Sequence, residues 1–302
     1  MAGLGVNIGT SFNMRARMNG FTSLGGQQVE LWYFDLDSSN SGFQNNRFMP
    51  SVHLEPIEGE LITLNFGNFS NMPHTIHLHG LDVDTLNDGV DTTSFLIEPF
   101  DSFAYQFIAP HAGTYHYHCH IDTVMHYHRG MAGAIIVRPP DGSTNTAWEG
   151  GPTFDEEILW QTGTYDLSWE AITESGPGTA RHRPSLFLLN GRVGDDALTD
   201  PASVVNFGVG QTAYLRLVNQ SYQWSRISLG GLPFQVVASD GRPMRRVVTT
   251  DNWEFGPGER YDLLIQSNAP FSGLGTISYL DDYSGGVLGE VSTEINLSLI
   301  HI

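Results

Sequence analysis

Short apolar runs, some alternating with polar residues and some unbroken, recur along the chain at 29–36, 61–66, 102–108, 132–137, 213–218, 261–266 and 275–280. Clusters of Gly, Pro, Asn and Asp separate them, which is the pattern of strands joined by tight turns. No window sustains a helical period, apart from a short turn near 168–173. The pattern predicts an all-β protein built from two sandwiches. A composition change at 138–152 (RPPDGSTNTAWEGGP) reads as an interdomain linker. It sets the expected domains at 1–142 and 143–302, with residues 1–45 as a leading extension or extra strand.

The two halves repeat each other weakly. Ile76-His77-Leu78-His79-Gly80-Leu81 aligns with Ile227-Ser228-Leu229-Gly230-Gly231-Leu232. Gly113-Thr114-Tyr115-His116-Tyr117-His118-Cys119-His120 aligns with Gly275-Thr276-Ile277-Ser278-Tyr279-Leu280-Asp281-Asp282. One fold used twice is expected, with histidines kept in the first half and absent from matching positions of the second, where only His182 and His301 occur.

Composition narrows the partners. The 302 residues carry a formal charge of −19, and all 14 basic residues are Arg. Such a chain has little with which to neutralise a phosphate backbone or an anionic membrane, so neither nucleic acid nor a membrane is expected as partner. No apolar stretch is long enough to span a bilayer, and residues 1–20 show no signal-peptide run. A single cysteine, Cys119, excludes an intrachain disulfide.

Nine of the 12 histidines fall between His74 and His128, around Cys119. They form His74-x-x-His77-x-His79 and His116-x-His118-Cys119-His120, followed by His126, His128 and Met131. Side chains alternate faces along a strand, so His118 and His120 point together and Cys119 points oppositely. One strand thereby places a thiolate in one metal site and its flanking imidazoles in another. A blue copper centre takes two imidazoles, one thiolate and a weak axial ligand, commonly Met. Cys119, His126 and Met131 supply three of these, and His74 the second imidazole. His77, His79, His118 and His120 converge as a second site, with His53, His111 and His116 as further ligand candidates. Asp82, Asp84, Asp88 and Asp91 make an acidic loop after His79-Gly80, read as solvated, with a proton-relay role beside the second site as the alternative.

These motifs resemble the copper motifs of multicopper oxidases, specifically the two-domain, laccase-like members. Leu188-Leu189-Asn190-Gly191-Arg192, Ala238-Ser239-Asp240-Gly241 and Pro257-Gly258-Glu259-Arg260-Tyr261-Asp262 resemble that family's copper-free middle domain. The resemblance implies tandem cupredoxin-like Greek-key β-sandwiches. It implies a type 1 copper on His74, Cys119, His126 and Met131, with type 2/type 3-like copper on His77, His79, His118 and His120. Cys119, His118 and His120 then carry the catalytic electron path. The second type 1 histidine stands two residues later than the family pattern, which reads as an insertion with His128 as rival ligand. The implied activity is one-electron oxidation of a phenol, aromatic amine, metal ion or redox protein, with O2 as acceptor. A periplasmic or extracellular homotrimer is implied as well.

The family's trinuclear cluster takes eight histidines from two facing domains, and Ser228, Gly230, Leu280 and Asp282 stand where four of them align. Two alternatives therefore stay open: a blue-copper electron carrier with a degenerate second site, and an enzyme like the copper nitrite reductases, whose corresponding stretch Gly130–Val137 and Pro139 resemble.

Overall fold

A computed structural model describes residues 4–5, 7–36, 49–172 and 181–299. His301, residue 173 of the expected short turn, and part of the leading segment lie outside the described residues. The chain forms two compact units, 1–143 with 166–183, and 144–165 with 184–302. The segment after strand Glu156–Tyr165 thus returns to the first unit, which a single cut at 142/143 does not foresee.

In the first unit, a four-stranded sheet runs in the order Gln27–Leu36, Ser11–Leu24, Leu61–Asn68, Ser102–Ile108. A three-stranded sheet runs in the order His77–His79, Gly113–His118, Ala132–Val137. Their inward side chains make one core, in which Ile62, Leu64, Phe66 and Tyr105 meet Leu78, Tyr115, Tyr117, Ile135 and Val137. The alternation is plain in Leu61–Asn68, where Ile62, Leu64 and Phe66 are buried and Leu61 and Asn65 face outward. The leading segment is not an appendage. Ser11–Leu24 pairs in parallel with Leu61–Asn68 and brings Phe12, Met14 and Ala16 into the core.

Gly133 lies opposite Tyr117, where a Cβ would meet the phenol hydroxyl at 2.6 Å and the ring at 2.7 Å. The missing side chain lets Tyr117 lie across the strand. A buried ion pair supports the same region: Arg138 Nε donates to Glu55 Oε2 at 2.7 Å, and both residues are wholly buried. His53 Nε2 meets the other carboxylate oxygen at 3.0 Å.

The second unit stacks a six-stranded sheet and a five-stranded one on a core of its own. The central strands of the first are Glu156–Tyr165, Thr212–Asn219 and Arg260–Gln266. The second holds Trp224–Ser228 between Phe271–Leu280 and Asn252–Phe255. The returning segment 166–183 carries a short 3-10 helix, Leu167–Ala171, capped by the Asp166 carboxylate, which accepts from Ser168 N at 2.9 Å. All seven runs expected from the sequence fall on observed strands. The one functional element not foreseen is the helix Thr123–His128.

Candidate metal centres

His74 sits between two strand edges. Its backbone exchanges hydrogen bonds with Ile97, at 3.1 and 3.2 Å, forming an isolated antiparallel bridge. Cys119 directly follows strand Gly113–His118, and its N–H donates to the Met131 carbonyl at 3.1 Å. The Met131 N–H donates in turn to the His126 carbonyl at 3.0 Å. The loop from Cys119 to Met131 is therefore closed on itself by backbone bonds. Within it the helix Thr123–His128 brings His126 back to Cys119.

The result is a compact group. Cys119 Sγ lies 3.1 Å from His126 Nδ1 and 3.5 Å from His74 Nδ1, and the two Nδ1 atoms are 3.2 Å apart. Cys119, His74, His126 and Met131 are all fully buried. His128, the rival to His126, faces elsewhere: its ring centre lies 5.1 Å from Trp169 and 5.6 Å from His182, both in the same unit. His182 therefore belongs with the first unit, not the second.

A hydrogen-bond argument fixes how His74 is presented. Ser70 Oγ donates its single proton to Asn68 Oδ1 or to the Met72 carbonyl, at 2.8 and 3.0 Å. It is then free to accept from His74 Nε2–H at 2.8 Å. With its proton on Nε2, His74 turns a lone pair on Nδ1 towards the thiol. His126 Nε2 is buried without a hydrogen-bond partner among the described residues, and the Trp32 ring stands edge-on to that imidazole at 5.2 Å. Arg129 lies over Trp32 and pairs with Glu170 Oε1 at 2.7 Å, tying the returning segment to the ligand loop.

Burial shapes the acid–base state of the group. It pushes the Cys119 thiol up to about 12 and holds His126 at about 4. Burial, reinforced by the facing His126, holds His74 at about 3. Without a cation, such a group is a neutral thiol beside two neutral imidazoles whose Nδ1 atoms both face the sulfur. A soft cation would take the two imidazole nitrogens and displace the thiol proton. The donor set of one thiolate and two imidazoles, on a loop closed by the Met131 backbone, fits copper.

The second group begins one residue away. In the antiparallel pair of His77–His79 with Gly113–His118, His77 stands opposite His118 and His79 opposite His116. Ligand atoms of His77, His79 and His118 all lie within 4.8 Å of one another, with His79 Nδ1 and His118 Nε2 3.4 Å apart. Carbonyl oxygens fix two of the rings. His77 Nδ1 donates to the Asp88 carbonyl at 2.8 Å and His118 Nδ1 to the Cys119 carbonyl at 2.9 Å. A carbonyl only accepts, so both rings carry the proton on Nδ1 and offer the Nε2 lone pair. Burial is the main reason that His118 is held at about 3.

His120 stands at the edge, outside that compact trio. Its ring centre is 5.4 Å from His77 and 6.0 Å from His118, and its Nδ1 meets Asp91 Oδ1 at 3.2 Å. His116 stacks on His79, ring centres 4.2 Å apart. Of the other candidates, His53 is engaged with Glu55 and His111 is exposed. The acidic loop is not merely solvated: Asp88 Oδ1 also approaches His77 Nδ1 at 3.3 Å, and Asp91 holds His120. Gly89 makes this approach feasible, since at φ 70° a Cβ there would overlap the Ile76 carbonyl.

Ser70 is the residue beside these groups that the sequence reading did not single out, and Asp88 and Asp91, read there as part of an acidic loop, stand against His77 and His120. A signal for Ser70 was present. The second unit repeats its hydrogen bonds one for one: Ser221 Oγ donates to Asn219 Oδ1 at 2.7 Å, and Asn219 Nδ2 to Gln223 O at 3.1 Å. Ser225 pairs with Phe255 there as His74 pairs with Ile97, so Ser225 occupies the place of His74. By the same register Ser228 and Gly230 occupy the places of His77 and His79. The cross-strand partner of Ser228 is Thr276, whereas Leu280 pairs with Trp224. The alignment of Leu280 with His118 is thus displaced by four residues from the cross-strand register. No histidine occurs among the described residues of the second unit.

Two sequence models, each described as multicopper oxidase, match residues 28–142 and 159–274. Laccase-15 of Oryza sativa subsp. japonica is 29% identical over 246 residues, covering 76% of this chain and 39% of its own length. Copper resistance protein A of Escherichia coli is 24% identical over 310 residues, covering 88% of this chain and 51% of its own. The chain spans about half or less of the length of the curated relatives it matches. Among solved structures, the blue copper oxidase from Nitrosomonas europaea superposes with a TM-score of 0.76 at 26% identity, covering 95% of this chain and 85% of that one.

Proposed function

This chain belongs to the multicopper oxidase family, and on that premise we propose that it is a copper-dependent oxidoreductase. His74, Cys119, His126 and Met131 would hold a type 1 copper, and the imidazoles of His77, His79, His118 and His120 would serve a second copper site. Bound copper supplies one-electron redox chemistry, which no side chain here provides alone. The chain's own contribution is connection and exclusion. Cys119 and His118 are adjacent, one in each group, and the His118 Nδ1–H bond to the Cys119 carbonyl adds a second link between the groups. Full burial of Cys119 keeps bulk water and oxidants off the sulfur.

The observation that carries this reading is the convergence of Cys119, His74 and His126, with a second imidazole group starting at the next residue. The electron donor is a small phenol, aromatic amine or metal ion, or a redox protein, and O2 is the acceptor. The functional setting is a homotrimer in the periplasm or outside the cell. The test is to load the protein with copper, record its optical and paramagnetic resonance spectra, and follow O2 uptake with each donor class. An intense blue band that vanishes in Cys119→Ser, together with donor-dependent O2 uptake, is expected. Absence of a blue band refutes the type 1 assignment. A blue band without O2 uptake favours an electron carrier, a reading supported by the lack of histidine in the described second unit.

A further inference from the structure

We propose that Tyr105 and Thr75 are positioning residues for the Cys119 group: their hydroxyls hold the span from His74 to His77 off its neighbouring strands, and so set the distance between the His74 imidazole and the Cys119 thiol. The inference rests on the type 1 copper reading above and deepens it by naming what fixes the ligand geometry of that centre.

The span is where two ladders stop. On one side, the pairing of His77–His79 with Gly113–His118 ends at His77 opposite His118. On the other side, the bridge of His74 with Ile97 stands isolated. The second unit has no such break. Its matching strand Trp224–Ser228 is paired on both sides, with Ile227 opposite both Ile277 and Trp253, and Arg226 opposite both Ser278 and Glu254. Continued in register, the first unit's ladder would set Cys119 opposite Ile76 and His120 opposite Thr75. Instead the strands part there, and Cys119 Sγ lies 3.5 Å from His74 Nδ1.

A break inside the protein leaves N–H groups that need acceptors, since Thr75 and Ile76 are wholly buried. Two hydroxyls take them. Ile76 N–H donates to Tyr105 Oη at 3.0 Å, reaching the four-stranded sheet. His120 faces the span because Cys119 N–H faces Met131, and its N–H donates to Thr75 Oγ1 at 3.3 Å where a continued ladder would use a carbonyl. Burial raises the Cys119 thiol, and backbone hydrogen bonds from Thr75 and Ile121 oppose that rise. A lone hydroxyl satisfies one amide without drawing its neighbours into the register of a strand.

The phenol occurs only where the ladders break. Tyr105 pairs with Leu64, four residues before Asn68. Leu215, four residues before Asn219, pairs with Leu263. An alkyl side chain thus stands in the place of Tyr105 in the unit whose ladders run on.

The test uses the full chain with and without copper. Amide exchange in metal-free protein reads the two hydrogen bonds. In copper-loaded protein, the blue band, the copper hyperfine splitting and a competition titration read the ligand geometry. Tyr105→Phe is expected to speed exchange at Ile76 about tenfold, and Thr75→Val to do the same at His120. Both are expected to shift the blue band and the hyperfine splitting and to weaken copper about 10- to 100-fold. Thr75→Ser is expected to keep the wild-type values. Tyr279→Phe is the control for a lost phenol, because Tyr279 Oη accepts from Gly163 N–H at 3.2 Å in the second unit. It is expected to lower the urea midpoint as Tyr105→Phe does and to leave the spectra unmoved. Wild-type spectra with affinity within about twofold in both Tyr105→Phe and Thr75→Val overturn the proposal. So does an equal shift in Thr75→Ser or Tyr279→Phe. If Tyr105→Phe does not fold, the Thr75→Val and Thr75→Ser pair decides alone. A wild-type protein with no blue band overturns the type 1 reading instead, so the two failures are told apart.

Discussion

Ser70→Ala separates the ligand role of His74 from its role in the fold. The Ser70 hydroxyl, 6% exposed, accepts from His74 Nε2 at 2.8 Å and bonds Asn68 Oδ1, the Met72 carbonyl and the Met72 N–H. Removing a bond that orients a ligating imidazole costs about 10- to 100-fold in metal affinity. That is about 1.4–2.8 kcal/mol at 1.4 kcal/mol per factor of ten. Losing the buried hydroxyl itself costs the fold about 1–3 kcal/mol. Ser221 provides the control, because its hydroxyl makes the same bonds to Asn219 Oδ1, Gln223 O and Gln223 N but meets no histidine. Ser70→Ala and Ser221→Ala are expected to lower stability in urea by similar amounts. Only Ser70→Ala is expected to weaken copper in a competition titration read at the blue band. If it binds copper within twofold of wild type, or if Ser221→Ala weakens it equally, the Ser70–His74 bond does not orient the ligand.

Three further outcomes follow from the same geometry. Gly89→Ala forces its Cβ into the Ile76 carbonyl at a positive φ and pushes Asp88 off His77, so the second copper should be lost while the blue band persists; parallel loss of both would refute this local account. In metal-free protein, folded His74, His118 and His126 stay neutral down to about 3, 3 and 4, whereas unfolded histidine takes up a proton below about 6.5. The unfolded state binds more protons in that window, so stability is complete above pH 6.5 and falls as pH drops, by about 2 kcal/mol per group at pH 5; equal urea midpoints at pH 7 and 5 would refute it. Ser225 Oγ is buried without a hydrogen-bond partner among the described residues, so Ser225→Ala should be neutral or stabilising by about 1 kcal/mol in thermal unfolding, and a clear loss would reveal a partner.

Much of the first site was written locally. Nine histidines around one cysteine, spaced by two along short strands, carry their chemistry in residue type and parity. The structure brings His74, Cys119 and His126 together and sets His126 on the helix Thr123–His128. What was not legible depends on long-range contact. Asp88 and Asp91 read as a solvated loop because nothing local distinguishes an aspartate facing water from one folded over a histidine. The return of 166–183 to the first unit was hidden for the same reason: Glu170 reaches Arg129 from 41 residues away. The displaced alignment of Leu280 has a different cause. A shift of four residues along a strand keeps every side chain on its face, so similarity of pattern survives an error of register.

The two units show how little sequence separates a metal site from a bare fold. Both carry the Asn-x-Ser hydrogen-bond corner, and in both the residue four beyond the serine pairs antiparallel with a distant residue, Ile97 in one and Phe255 in the other. The backbone thus presents a side chain to the same place twice. In the first unit that side chain is His74, and a cysteine on a second strand end and a six-residue helix complete the group around it. In the second it is Ser225, and the strand opposite offers Thr276 and Ile277 in place of an imidazole and a thiol. Nothing in the shared corner selects a metal; it selects only a direction. Specificity for copper would enter with the donors placed at the end of that direction, and the Ser70 bond to His74 is a point where corner and donor side chain act on each other. Copper affinity in the first unit should accordingly respond to changes in the corner, and the second unit, with the corner but no donors, should respond only in stability.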